Sequence, residues 1–179
     1  RRQRQMCIRD RPFTDALSLY AIGLIAGNLV NVYSDNAGKD GWEKITLAST
    51  IGGMVINTAG VTLAHGMEHP ASGLRDIVHG KGLAALTPAI IEASYTGNES
   101  KFADIAKLFG GKEAKDLALK IRELLKSINL NCTLSDLGIE EKDIPWMAEN
   151  CMKVSAASVA NNPVVFTQEQ IADIYKKAL

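Results

Sequence analysis

The amino-acid sequence predicts an all-α protein, and three observations carry that prediction. Apolar residues recur at helical spacing, most plainly Leu117, Ile121, Leu124, Leu125 and Ile128, with Lys and Arg on the opposite side. Clusters of Gly, Asn, Asp, Ser and Pro cut the chain into segments of helical length. No glycine group has the strand-turn-helix context of a nucleotide-binding loop: Gly52-Gly53 and Gly110-Gly111 lack it, and Gly80-Lys81-Gly82 is too short. With 179 residues, 46% of them hydrophobic, the chain suffices for one domain with a sizeable core.

Residues 1–12 stand apart from the rest of the chain. Five arginines crowd there without an apolar period, so a basic tail outside the fold is expected, with the domain formed by residues 13–179. A basic segment leading into an apolar one also suits a signal peptide or anchor. Ala16 to Tyr33, however, carries Ser18, Gly23, Gly27, Asn28 and Asn31 and only reaches the length of a spanning helix, so a buried core helix is the better reading.

Thr14 is suited to cap that first helix, which runs to about Tyr33, and Ser34 to Gly41 forms a turn. Trp42 to Asn57 makes a second helix whose Ala48, Ser49, Gly52 and Gly53 permit close approach by a neighbour. Gly60 opens a third, which Pro70 is expected to stop, and Lys81 to Ser94 comes next with a kink at Pro88. Glu99 to Phe109 and Lys112 to Asn129 flank Gly110-Gly111. Thr133 to Asp143 is a polar connection, and Ile144 to Ser158 is a helix with Pro145 in its first turn. Asn161-Asn162-Pro163 breaks the chain, and Thr167 with Gln170 forms a capping box for the last helix.

Twenty basic and 20 acidic residues cancel, which gives no electrostatic argument for nucleic acid or an anionic membrane. Cys7, Cys132 and Cys151 are odd in number and irregularly spaced, so no disulfide framework is expected and a reducing cytosol fits best.

The chain's three histidines all lie between His65 and His79. His65 and His69 are four apart, on one face of a helix, and a turn built on Pro70 and Gly73 can bring His79 back to them. Three imidazole nitrogens can then converge on a metal, leaving a position open for substrate or water. A His-x-x-x-His pair alone also suits a solvated or core role; the third histidine favours the metal. A zinc-protease motif is excluded, because that motif needs Glu directly after the first His and Gly66 stands there. Glu68 and Asp76 read as solvated carboxylates, with orientation of an imidazole as the alternative. Met67, Trp42 and Trp146 read as packing residues and Lys81 as a solvent-facing charge.

The run from His65 through His69-Pro-Ala-Ser-Gly73 to His79-Gly-Lys-Gly-Leu-Ala-Ala-Leu-Thr-Pro88 resembles the metal-binding signature of the iron-containing alcohol dehydrogenases. Thr14 to Ile22 resembles that family's helix after its first metal ligands, Leu47 to Gly60 its helix before the histidines, and Asn162 to Leu179 its C-terminal helix. The likeness covers about residues 13 to 179 in order. It implies the multi-helix metal-binding domain of the iron-containing alcohol dehydrogenase / dehydroquinate synthase-like fold.

By that resemblance His65 and His79 are metal ligands, and His69 lies near nicotinamide and substrate as the catalytic histidine. The metal is divalent, iron by family habit, although two histidines in a mixed nitrogen and oxygen site also suit zinc. The family's other ligands, an Asp and a His four residues later, belong to a helix upstream of residue 13. This sequence holds no such pair, since Asp15 is followed four residues on by Leu19. The resemblance thus implies a fragment lacking a nucleotide-binding domain, inactive by itself. In the complete enzyme, an alcohol and an aldehyde or ketone would interconvert by hydride transfer with NAD or NADP. It further implies small-molecule substrates and a homo-oligomer, with no nucleic-acid or membrane partner. A competing reading is a non-enzymatic helical protein with a small metal site, anchored through its N-terminus.

Overall fold

The computed structural model describes residues 12–179, and every regular element among them is helical. Pro12 opens the first helix, α1 (Pro12–Tyr33), in a position where its missing N–H costs nothing. Thr14 therefore lies inside the helix, buried, rather than at its cap. α2 (Gly38–Ala59) begins four residues before Trp42. The two helices pair along Leu17, Ala21, Leu24, Ala48 and Ile51 to make a small apolar cluster.

α1 differs from the expected buried core helix. It is long and apolar enough to span a membrane by composition, yet only 11% of its most apolar window is buried within this chain. It packs mainly on α2 and then on α5 (Glu99–Leu108), and Phe13 and Tyr20 stay exposed. Trp42 and Trp146 are also exposed, at 54% and 47%, and do not pack as expected.

α2 meets α3 (Leu63–Arg75) at a bend of 100°. The corner is Gly60, whose φ of 76° and extended ψ belong to a region that only glycine enters without strain. Asn161 clamps it by donating its side-chain amide to the carbonyls of Ala59 and Val61, at 3.2 and 3.1 Å.

Pro70 does not end α3. The proline forfeits one hydrogen bond and costs about 3 kcal/mol in a helix interior, but Leu63, Met67 and Ala71 on the same helix are fully buried. Burying the Leu and Met side chains alone contributes about 1.5–3 kcal/mol each, enough to carry the helix through. It ends at Arg75, where Asp76 takes a left-handed conformation with φ 52° and returns its N–H to Ser72. The turn towards His79 is thus built on Asp76, with Gly73 still helical.

α4 (His79–Ser94) starts on the third histidine itself and runs through Pro88, succeeded by a 3₁₀ turn at Tyr95–Gly97. α6 (Asp116–Ser127) starts later than its apolar pattern suggests, because the Asp116 carboxylate accepts from the N–H groups of Lys112 and Glu113 and holds the preceding residues in a turn. A second 3₁₀ turn, Glu141–Asp143, leads into α7 (Ile144–Val154) with Pro145 in its first turn. Ser155 then breaks the expected single helix, leaving α8 (Ala156–Ala160) as a short separate piece. α9 (Gln168–Ala178) opens on the expected capping box: Thr167 donates its N–H to Gln170 and its hydroxyl accepts from the Gln170 N–H.

The main core forms where α3, α4, α7 and α9 meet. Leu63, Met67, Leu86, Met147, Ile171 and Tyr175 are at most 1% exposed there. α3 packs on α4, α7 and α8, and α9 on α4 and α7. The histidine helix is thereby held on several sides.

Candidate metal centre

α3 sets His65 and His69 one turn apart, and the Asp76 turn delivers His79 at the head of α4. The three side chains meet. Each offers one nitrogen, and these three atoms lie within 4.8 Å of one another. Ring centroids are 5.0 Å apart for His65 and His79, 5.7 Å for His69 and His79, and 6.1 Å for His65 and His69.

The closest approach is between Nδ1 of His65 and Nε2 of His79, at 3.2 Å. Two nitrogens spanning one edge of a tetrahedral site with bonds of about 2.1 Å are separated by about 3.4 Å. Imidazole nitrogens at this spacing fit a divalent transition metal. His69 and His79 are exposed while His65 is half-buried, so the group opens to solvent on one side.

Burial, and then the neighbouring imidazoles of His79 and His69, lowers the pKa of His65, against a smaller opposing pull from Glu68. The neutral ring, the form that binds metal, is favoured. Asp15 takes no part in this group; its carboxylate pairs with Lys101 at 2.9 Å.

Glu68 overturns its expected surface placement. It is fully buried, with Oε2 on Nδ1 of His79 and Oε1 on the Ser72 hydroxyl. The Ser72 Oγ also lies 2.9 Å from the carbonyl of Ile77, so one hydroxyl proton serves two acceptors. The sequence carries one signal of this, Ser72 itself, four residues beyond Glu68 and able to face it on a helix. A helix ending at Pro70, between the two residues, would erase that signal. Asp76 and Lys81 are exposed as expected, and Met67 packs in the core.

The family model described as Fe-containing alcohol dehydrogenase family, C-terminal, matches residues 6–179, beginning inside the segment expected to be a tail. The 1,3-propanediol dehydrogenase of Klebsiella pneumoniae is 36% identical over 175 residues, covering 93% of this chain and 45% of its own length. Alcohol dehydrogenase 4 of Saccharomyces cerevisiae is 32% identical over 173 residues, covering 94% of this chain and 45% of its length. The crystal structure of an archaeal halo-thermophilic Red Sea brine pool alcohol dehydrogenase superposes with a TM-score of 0.87 at 31% identity, covering 95% of this chain and 45% of that one. The chain therefore spans somewhat under half the length of the relatives it matches. It belongs to the iron-containing alcohol dehydrogenase family and corresponds to that family's C-terminal, helical domain.

Proposed function

We propose that this chain is the metal-holding part of a metal-dependent, NAD(P)-dependent alcohol dehydrogenase acting on a small alcohol or aldehyde. The observation that carries the reading is the 3.2 Å approach of His65 Nδ1 and His79 Nε2 on two helices fixed by the main core. When bound, a divalent metal supplies Lewis acidity toward the alcohol or carbonyl oxygen, and a nicotinamide accepts or delivers the hydride. His65 and His79 hold the metal, with iron or zinc both suited to nitrogen ligands. His69, exposed beside them, positions or relays the proton that the alcohol oxygen gains or loses.

Residues 12–179 contain no strand and hence no strand-turn-helix phosphate site, so the nicotinamide is held by a domain outside them. The complete enzyme works as a homo-oligomer in a reducing cytosol, a compartment that suits the free thiols of Cys132 and Cys151. The test is to assay this chain with iron or zinc, either nicotinamide and a panel of primary alcohols. The assay is repeated with the chain joined to the N-terminal half of the Klebsiella pneumoniae relative. Turnover is expected only in the joined protein; turnover by residues 1–179 alone would contradict the division of labour.

A further inference from the structure

We propose that Glu68 is a positioning residue whose buried carboxylate holds the Nδ1 proton of His79 and so aims the Nε2 lone pair at the metal. This role rests on His79 being a metal ligand. A carboxylate only accepts hydrogen bonds, so the imidazole nitrogen it meets is the protonated one. The other nitrogen, Nε2, is then bare, and it is the one that faces His65. Fixing a ligating imidazole through its far N–H sets both ring orientation and basicity.

Two further features show that the fold is shaped around this carboxylate. Ser72, one turn along α3, meets its second oxygen. Gly82, one turn into α4 and itself buried, leaves the room: a Cβ there would stand 2.7 Å from Oε1 and 2.8 Å from Cγ of Glu68. A buried charge with no such reception is expelled or neutralised. Here its own helix supplies the Ser72 hydroxyl, while α4 supplies both the space at Gly82 and the exposed His79 at the mouth of the site.

The test uses nitrogen-15 NMR of the histidine rings in the metal-free chain, above the imidazole titration range, and then titration with zinc ion. Wild-type His79 is expected as the Nδ1–H tautomer. Glu68→Ala should shift it towards Nε2–H and weaken zinc binding about 10–100-fold. Glu68→Gln should rescue the tautomer, its amide oxygen accepting from Nδ1–H while its NH₂ faces Ser72, with a smaller loss of affinity. A wild-type Nε2–H tautomer overturns the proposal without any variant, and so does unchanged zinc affinity in Glu68→Ala. Should Glu68→Ala fail to fold, a Gln variant whose His79 leaves the Nδ1–H form, or which binds zinc as tightly as wild type, overturns it. A wild-type Nδ1–H ring whose resonances ignore zinc supports the Glu68 contact but overturns the metal reading beneath it.

Discussion

The hydroxyl of Tyr175, on the last helix, donates to the backbone carbonyl of Met67, midway between His65 and His69. Both residues are fully buried, so the far end of the chain fastens the turn that carries two of the three histidines. Burial, with Cys151 and Glu68 adding, pushes the phenol well above its ordinary pKa and keeps it a donor. Tyr175→Phe removes one hydrogen bond and leaves the ring in place. Urea unfolding should show a loss of about 1 kcal/mol, and an unchanged midpoint would deny the bond its role.

Gly60 sets the bend between α2 and α3. Gly60→Ala puts a Cβ on a backbone at φ 76° and extended ψ, at a cost of about 1–3 kcal/mol. Thermal unfolding should move down accordingly, while Gly27→Ala, in a helix with no neighbour within 4 Å of the new atom, should be neutral or stabilising.

The two described cysteines should differ in reactivity. Cys151 is fully buried and burial pushes its thiol up to about 11, whereas Cys132 is partly accessible. Native alkylation and peptide mass spectrometry should find Cys132 labelled well before Cys151. Equal rates would show that the α3 to α7 contact opens readily.

The lowered pKa of His65 gives stability a defined dependence on pH. The folded ring takes up its proton at lower pH than the unfolded ring, so below about 6.5 the unfolded chain binds more protons and stability falls with pH. The groups facing it are His69, His79 and Glu68. Without metal, wild type should lose more stability between pH 8 and pH 5 than His65→Ala. A steeper loss in the variant would reverse the sign of the assignment.

Where sequence and structure agree, the cause is local. The Thr167 and Gln170 capping box and Pro145 in a first turn need only their own neighbours, and both are found as expected. The meeting of the three histidines is legible because His65 and His69 are four apart on one helix face and a turn can return His79 to them, although that turn is made at Asp76 and not at Pro70 and Gly73. The burial of Glu68 is hidden, since it depends on space at Gly82 and on a helix that continues past Pro70. Burial of Leu63 and Met67 decides that continuation, and propensity alone cannot register it. The exposure of α1 is equally hidden, because an apolar helix reads as core whatever this chain provides to cover it.

Metal analysis of His65→Ala, His69→Ala and His79→Ala, in the protein joined to a nucleotide-binding half, tests the centre most directly. The first and third variants are expected to be nearly empty, because removing one ligand breaks the coordination sphere, while His69→Ala keeps its metal and loses turnover. A His69→Ala protein as empty as the other two would contradict this assignment and make all three histidines ligands.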